Sequence, residues 1–471
     1  MSKPDDTTTE TGEESDDREA TDGTTGSEAE EGSTPADGET LASGHGASPG
    51  IASGTVRIVA DTAETDGVDE GDVIVTGMTT PEMVPAMKRA AGIVTDEGGI
   101  TSHAAIVSRE LGVPAVVGTG DATDVLADGR AITLDGQRGT VRAGASGSNA
   151  GTGSEDVQTG AGVDGGENGS GSTLAPLTAT QVKVNVSIPD AAERAAATGA
   201  DGVALLRLEH ILLATNKTPK RYVEDHGEEA FVEEIAAEIE TVAEAFHPRP
   251  VRARTLDAPT DELAELIGGE EEPHEHNPML GYRGIRRSLK EPELCKLELR
   301  AFKRLHDTGY DNVEVMFPLP NDPTDVLGAR DLMADVGIDP EKRRWGAMIE
   351  TPASIRNVKE IAECGIDFAA LGTNDIVQFM LAVDRNNGAI ADRFDEMHPT
   401  VLEAMGEVIE TCRTHGVDTT ITGQAGSKPE MARFLVEKGI TSISANIDAV
   451  PEVRQVVGRA ERRLTLEAAR S

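Results

Sequence analysis

One histidine, His103, stands in a segment whose residue types suit phosphoryl chemistry. It lies in GGITSHAAIVSRELGVPAVVG, residues 98–118, after two glycines and two hydroxyl residues. Apolar residues at helical spacing follow, so His103 is predicted to begin a helix. The positive dipole end and free N–H groups of a helix start accommodate an anion, and the dipole keeps the imidazole neutral and nucleophilic. The segment therefore predicts a phosphoryl carrier, with an incidental histidine in an N-cap loop as the alternative.

Carboxylate side chains in the second half of the chain directly follow short apolar runs. Glu350 follows the run GAMI, and Asp375 ends the segment LGTND. Two carboxylates from neighbouring strands can hold Mg²⁺, which keeps several waters and takes substrate oxygens for its other positions. Glu350 and Asp375 are therefore the candidate metal ligands, with helix capping as the alternative for Asp375.

Four arginines occur in similar positions. Their planar guanidinium groups suit phosphate and carboxylate, although surface salt bridges are the alternative in so acidic a chain. Amide groups near them would donate to substrate oxygens. The arginines, with the other polar residues of the same segments, are Arg207 and Glu209 in LLRLEH, Arg254 and Asp257 in ARTLD, Asn277 and Arg283 in NPMLGYRGIRR, Asn374 in LGTND, Arg385 in AVDRNN and Gln424 in TITGQA.

Eight short apolar runs, separated by helical or loop stretches, must position these side chains. Eight strand–helix units in about 290 residues fit a (β/α)8 barrel, and a doubly wound sheet is the alternative. The barrel is favoured because nearly every candidate side chain ends a strand or follows one, and barrel active sites gather at that face. The predicted strands are Val182–Val186, Gly202–Leu206, Val251–Thr255, Val313–Phe317, Gly346–Ile349, Phe368–Leu371, Thr419–Ile421 and Ser442–Ser444.

A smaller α/β domain of about 100 residues is predicted over 45–143, ahead of the barrel at 176–465. Residues 144–175 between them predict a flexible linker or a simple insertion, since residues 144–173 contain ten glycines. Apolar patterning of the small domain predicts strands at Thr55–Ala60, Asp72–Thr76, Gly92–Thr95, Pro114–Gly118, Ala131–Leu134 and Thr140–Arg142, and a helix at Pro81–Ala91.

The net charge of −41 restricts the environment and the partners. Residues 1–44 are polar and acidic, and they cannot bury enough apolar surface to fold, which predicts a disordered tail. Such a charge repels nucleic acid and anionic membranes, so neither is an expected partner. It is typical of a protein from a high-salt, halophilic cytoplasm, where salt screens repulsion. No signal peptide or membrane span is recognised, and the expected location is cytoplasmic.

The histidine segment resembles the phosphohistidine signature of the phosphoenolpyruvate (PEP)-utilising enzymes, which include PEP synthase, pyruvate phosphate dikinase and enzyme I of the sugar phosphotransferase system. NPMLGYRGIRR, GTNDIVQFMLAVDRNN and GQAGSKPEMARFLVEKGITSIS resemble the barrel domain of PEP synthases, especially archaeal ones. The resemblance covers roughly residues 46–465. It implies a phosphohistidine swivelling domain ahead of a PEP/pyruvate-binding (β/α)8 barrel.

The resemblance implies a role for each candidate residue. His103 would carry the phosphoryl group, Gln424 would lie beside the reacting carbon, and Glu350 and Asp375 would bind Mg²⁺. The implied function is that of a phosphotransferase of the PEP synthase (pyruvate, water dikinase) type, acting between a histidine and pyruvate or PEP. A homodimer is expected by analogy with barrels of this family. The residues implied to grip PEP are Arg207, Arg254, Arg283, Asn374 and Arg385.

Two departures from the family pattern leave other functions open. The family's synthases carry an ATP-grasp nucleotide-binding domain, which this sequence does not contain, so a separate nucleotide-binding chain is an expected partner. In the family a cysteine ahead of Gly-Gln on the seventh strand protonates the enolate, whereas here Thr422, a far weaker acid, takes that place. The alternatives are an enzyme I-like PEP-protein phosphotransferase and a catalytically idle homologue that binds PEP.

Overall fold

The computed structural model describes residues 38–60, 62–99, 102–144, 176–213, 215–384, 390 and 393–470. Within these residues an eight-stranded mixed sheet precedes a closed barrel of eight strands, and the two belong to one compact unit. The prediction of a (β/α)8 barrel with a small α/β domain before it is therefore confirmed. The predicted linker lies almost wholly outside the described residues, as does most of the predicted tail.

The amino-terminal sheet has the strand order β1-β8-β7-β3-β4-β5-β6-β2. Strands β3 to β6 pair in parallel, and the other pairs are antiparallel. Apolar side chains form a separate core on each face, which is why the central strands are continuous Val/Ile runs. The strands are β1 Thr40–Ser43, β2 His45–Ser48, β3 Ile51–Ile58, β4 Asp72–Thr76, β5 Gly92–Thr95, β6 Ala115–Val117, β7 Ala131–Asp135 and β8 Thr140–Ala143.

The structure corrects the predicted start of the folded chain. The expected disordered tail extended to residue 44, but Thr40–Ser43 form β1, which pairs antiparallel with β8. Strand β2, which was not predicted, pairs with β6 at the other edge. Both strands have four residues with few large apolar side chains, so their stability comes from hydrogen bonds to a neighbouring strand, which the local sequence does not indicate.

The barrel consists of parallel strands that pair in chain order, and β16 closes on β9. All eight predicted strands are present, with ends that differ by at most one residue. Alternating side chains point outward to the helices and inward, where a small apolar cluster fills the middle of the barrel. The strands are β9 Gln181–Val186, β10 Val203–Arg207, β11 Val251–Arg254, β12 Val313–Phe317, β13 Trp345–Ile349, β14 Phe368–Gly372, β15 Asp418–Thr422 and β16 Ser442–Ala445.

Helices cover both faces of the sheet and the outside of the barrel. Many barrel helices have proline in the first turn, where its missing N–H costs no hydrogen bond. The helices are α1 Val84–Arg89, α2 His103–Leu111, α3 Ala122–Val125, α4 Ala192–Ala197, α5 Leu208–Leu213, α6 Pro219–His226, α7 Glu228–Phe246, α8 Thr260–Ala264, α9 Ile285–Lys290, α10 Pro292–Thr308, α11 Pro323–Asp335, α12 Pro352–Arg356, α13 Val358–Ala362, α14 Thr373–Leu381, α15 Pro399–Thr414, α16 Pro429–Lys438 and α17 Val450–Ala468.

Short 3₁₀ turns complete the connections. The predicted helix Pro81–Ala91 is divided into such a turn and α1, because Pro85 and the residues around it begin a new helical register. None of the described helices is both long enough and apolar enough to cross a bilayer. The turns are Thr62–Gly67, Pro81–Met83, Pro189–Ala191, Gly269–Glu271, Pro278–Leu280, Ala425–Ser427 and Ile447–Ala449.

Candidate active site

Three buried carboxylates meet at the carboxyl end of the barrel strands. Glu350 directly follows β13, Asp375 lies in the first turn of α14, and Asp257 lies three residues beyond β11. One oxygen of each lies within 4.8 Å of the others. The structure therefore brings the predicted pair of metal ligands together. It adds Asp257, which the sequence placed after a strand but did not assign to the metal.

Two buried arginines offset the negative charge of this triad. Arg283 donates to Asp257 through Nε at 2.9 Å and Nη2 at 2.7 Å, and its Nη2 lies 3.3 Å from Asp375 Oδ2. Arg254 Nη1 lies 2.9 Å from Asp257 Oδ2, while its Nη2 contacts Glu209. Bidentate pairing fixes the plane of a guanidinium group. Neither arginine forms the surface salt bridge considered as an alternative, since both are more than 90% buried.

Two oxygens of the triad lack a hydrogen-bond partner among the described residues. Glu350 Oε1 accepts the Leu319 N–H at 2.8 Å, but Oε2 is unpartnered, and so is Asp375 Oδ1. Burial, followed by the charges of Asp375 and Asp257, raises the pKa of Glu350. Unpartnered buried carboxylate oxygens are costly unless a positive group lies against them. The donor set therefore fits a hard divalent cation, which prefers oxygen ligands.

The backbone around Glu350 is shaped to hold its carboxylate. A Cβ atom on Gly372 would collide with Glu350 Oε2, so the glycine leaves space for that oxygen. Leu319, which donates to the other oxygen, has a φ of +59°, a left-handed conformation that residues with side chains rarely adopt. Strain of this kind is usually found where function needs a particular backbone direction.

The other predicted substrate ligands fall into three groups. Arg207, Asn374 and Gln424 line one cavity at the barrel mouth, and Asn374 Oδ1 is buried with no hydrogen-bond partner in the described part of the chain. Asn277 is exposed at the start of the turn Pro278–Leu280, and its contact with substrate stays a prediction. Arg385 lies outside the described residues.

His103 is the first residue of α2, as the sequence predicted. The preceding Ser102 is the N-cap, and its side chain accepts the Ala105 N–H at 3.4 Å. His103 is half-buried, and its Nδ1 lies 2.9 Å from Thr79 Oγ1. Its position at an electropositive helix start is thus observed, while its role as a phosphoryl carrier stays a prediction.

One cavity lies between α2 and the carboxyl end of the barrel. His103 precedes two of its lining residues by three and seven positions, so it lies on the same face of α2 as they do. Sequence reasoning missed the helix residues, and the available signal was their helical spacing from His103. The cavity is lined by Ile106, Arg109 and Glu110 of α2 and by Asn185, Arg207, Asn374, Gly423, Gln424, Asn446 and Ile447 of the barrel.

Thr422, which replaces the expected cysteine, ends β15 and is buried. Its Oγ1 donates to the Leu371 carbonyl oxygen at 3.1 Å, on the neighbouring strand. Its own carbonyl oxygen accepts from Thr373 Oγ1 at 2.9 Å. The hydroxyl proton of Thr422 is therefore engaged with the backbone in this conformation.

Comparison with known proteins finds a matching family profile for each of the two parts of the chain. Residues 167–462 match the family profile "PEP-utilising enzyme, PEP-binding domain", and residues 68–139 match "PEP-utilising enzyme, mobile domain". The chain is 52% identical over 426 residues to the phosphoenolpyruvate synthase of Pyrococcus furiosus, covering 90% of this chain and 51% of that one. A probable phosphoenolpyruvate synthase of Archaeoglobus fulgidus is 50% identical over 432 residues, covering 91% and 55%. This chain thus spans about half the length of the curated relatives it matches.

Proposed function

The chain belongs to the PEP-utilising enzymes, and from this premise we propose that it is a phosphotransferase of the PEP synthase type. His103 takes up the phosphoryl group of PEP or returns it to pyruvate at the barrel mouth. The observation that carries the proposal is that α2, which begins at His103, and the carboxyl end of the barrel line the same cavity. The names of the relatives at 50–52% identity support the same activity.

In the proposed site, residues of the barrel bind PEP, while His103 carries the phosphoryl group. Arg207, Arg254, Arg283 and Asn374, with Arg385, grip the phosphate and carboxylate of PEP, because fixed guanidinium and amide donors match planar and tetrahedral oxyanions. Gln424 lies beside the reacting carbon. Glu350 and Asp375, with Asp257 nearby, hold Mg²⁺, which when bound would neutralise charge on the transferring group.

In the proposed step His103 Nε2 is the nucleophile. The step uses the tautomer in which Nδ1 carries the proton and donates to Thr79 Oγ1, 2.9 Å away, so that the lone pair for attack on phosphorus is on Nε2. An N–P bond forms, the bond between phosphorus and the enol oxygen of PEP breaks, and the pyruvate enolate that leaves takes up a proton at carbon. Transfer to pyruvate reverses these events.

The test is to incubate the full chain with Mg²⁺ and PEP labelled in its phosphate. We expect acid-labile, base-stable label on the wild type, none on His103→Gln, and unchanged labelling of His45→Gln, an exposed histidine of the same domain. Absence of label on the wild type, or label retained by His103→Gln, would contradict the proposed transfer.

A catalytically idle PEP-binding homologue is the second candidate, and Thr422 favours it. The Thr422 hydroxyl is buried and donates to a backbone carbonyl, which makes it a poor proton donor to an enolate. PEP binding by calorimetry without any label on His103 would support this second function.

The proposal also covers the source of the phosphoryl group. For synthesis of PEP, a separate nucleotide-binding chain would phosphorylate His103 from ATP, and mixing the two chains with ATP should then label the histidine.

The net charge of −41 supports a high-salt environment, in which screening weakens repulsion between surface carboxylates.

A further inference from the structure

We propose that Glu110 is a positioning residue that sets the orientation of Arg207 through Ser187 when the His103-bearing domain docks on the barrel. Arg207, which the proposed function assigns to PEP, then receives this additional support when the phosphoryl carrier is docked. The inference rests on the proposed function, in that it assigns Arg207 to PEP.

The first part of this connection crosses from α2 to the barrel. Glu110, near the end of α2, has a buried carboxylate whose Oε2 accepts two backbone N–H groups. These belong to Ser187 at 2.7 Å and Ile188 at 2.9 Å, in the turn that follows β9. The carboxylate therefore holds this turn of the barrel mouth from the other domain.

The second part leads from the turn to the arginine. Ser187 is fully buried, and its Oγ accepts a 2.6 Å hydrogen bond from Arg207 Nη1. Because a guanidinium group has donors and no acceptor, Ser187 Oγ must be the acceptor of this bond. Ser187 thus connects the two charged groups: its backbone N–H donates to the Glu110 carboxylate, and its hydroxyl oxygen accepts from the Arg207 guanidinium.

The location of Glu110 argues against a role in stabilising its own helix. It lies in the last turn of α2, where the negative end of the helix dipole disfavours a carboxylate. Burial also raises the pKa of Glu110, opposed by its bonds to Ser187 and by the charge of Arg207. Contacts that the docked barrel provides, the two N–H groups of Ser187 and Ile188, offset this unfavourable position.

Further contacts fix α2 against the same turn. Ile188 packs into the apolar core of the amino-terminal sheet, on the face that α2 covers. Arg194 Nη1 donates to the carbonyl oxygens of Arg109 and Glu110 at 2.7 and 2.8 Å. These contacts keep α2 seated against the turn, so the Glu110 carboxylate can transmit position to Ser187 and Arg207.

The experiment titrates PEP in the presence of Mg²⁺ against five proteins, the wild type and four variants, by calorimetry, and follows the rate of His103 labelling at each PEP concentration. The variants are Glu110→Gln, Ser187→Ala and their combination, with Glu70→Gln as control, since Glu70 is an exposed acid of the same domain. Ser187→Ala removes only the hydroxyl and keeps the backbone N–H groups, so it tests the connection even where Glu110→Gln fails to fold.

We expect Glu110→Gln and Ser187→Ala each to weaken PEP binding roughly tenfold, the usual effect of losing a hydrogen bond to a charged group. The combined variant should bind PEP with about the same affinity as the single variant that binds it less tightly, because both changes break one connection. The labelling rate at saturating PEP should fall much less than the affinity. Unchanged PEP affinity in both variants, or losses that add in the combination, would overturn the inference.

The two proposals fail in different ways. A wild type that binds PEP but acquires no label contradicts phosphoryl transfer, while loss of PEP affinity in both Glu110→Gln and Ser187→Ala still supports the role of Glu110. A wild type that is labelled, with PEP affinity unaffected by either substitution, supports the transfer and overturns the positioning role.

Discussion

At the scale of single residues, the proposed function makes the side chain at position 422 important for protonation of the pyruvate enolate. A thiol is ordinarily acidic enough to donate a proton near neutral pH, whereas an aliphatic hydroxyl is not. In this chain the Thr422 hydroxyl is buried and directed at the Leu371 carbonyl oxygen. Binding of PEP and cleavage of its phosphoryl group need no such donor, so slow release of pyruvate is the expected defect.

Thr422→Cys should therefore speed pyruvate formation from PEP in a single turnover. General acid catalysis contributes about 10²–10⁴-fold, and we expect the lower end of that range. The reason is that burial raises the pKa of a thiol, as it does for Cys412 to about 12. Rapid-quench measurement of pyruvate tests this, with Thr422→Ser as the control that keeps a hydroxyl. A cysteine variant no faster than the serine variant would show that protonation is not limiting.

Gly372 gives a second prediction at this scale. A methyl group there would displace Glu350 Oε2, while the residue's φ of −79° is one that alanine adopts readily. Gly372→Ala should therefore fold but lose roughly 10–100-fold in Mg²⁺ affinity, the range seen when the support of a metal ligand is disturbed. Calorimetric titration with Mg²⁺ measures the loss. Gly67→Ala, where an added Cβ meets nothing within 4 Å, is the matched control and should bind like the wild type.

At the scale of elements, the barrel strands carry different chemistry at their two ends. The carboxyl ends present the acidic triad and the arginines. Near the amino ends, inward-facing charges form a network: Glu314 accepts from Arg252 Nε at 2.8 Å and from Arg344 Nε at 3.0 Å, and Arg344 reaches Asp418 at 2.8 Å. Lys183 of β9 is buried beside this network. These groups are fixed by strand register and lie at the end of the barrel opposite the candidate active site.

Lys183 makes the stability of the barrel depend on pH. Burial, assisted by the charge of Arg252 and opposed by Glu314 and Asp418, lowers its pKa from 10.5 to about 7. Between these values the unfolded chain binds a proton that the folded barrel does not, so stability rises with pH, by at most about 1.4 kcal/mol per unit. The melting temperature of the wild type should rise between neutral and alkaline pH. That of Lys183→Met should change less over the same range.

The control for this prediction is Lys359→Met, which removes an exposed lysine of α13. Its melting profile should follow that of the wild type. Equal slopes in the wild type and Lys183→Met would show that the buried lysine titrates normally, through water or a rearrangement of the network.

At the scale of the whole molecule, charge and domain contact act together. The chain carries 84 acidic and 43 basic residues, so surface repulsion opposes compaction over most of its length. The docked contact between α2 and the barrel nevertheless places buried charges of both signs against each other, with Glu110 held next to Arg207 through Ser187. Screening should relieve the surface repulsion and leave this buried contact largely intact.

We therefore expect the melting temperature to increase as KCl is raised from about 0.1 M to about 1 M, since the Debye length falls from about 10 Å to about 3 Å over that range. Differential scanning calorimetry of the full chain measures the change. A melting temperature that stays constant or falls across this range would contradict the high-salt interpretation.

The sequence alone determined the elements and the residue types of the site. Most barrel strands carry apolar residues in succession or at alternate positions, and Glu350, Asp375, Arg254 and Gln424 stand at or just beyond strand ends, so local patterning places them at the carboxyl face. The start of α2 at His103 is likewise local, because an N-cap serine precedes it. Edge strands β1 and β2 were not predicted, because they are stabilised by pairing with β8 and β6, which lie far along the chain.

Only the tertiary structure decided which of these residues meet. Asp257 joins Glu350 and Asp375 because barrel closure brings the ends of β11, β13 and β14 together across nearly 120 residues of chain, a distance that no local pattern encodes. Glu110 reaches Ser187 and Arg207 because one domain packs on the other, and its helical pattern alone shows an ordinary polar residue. The hydrophobic pattern of a helix or strand reflects contacts of that element alone. The site, in contrast, depends on closure of the barrel and on packing of the amino-terminal domain against it.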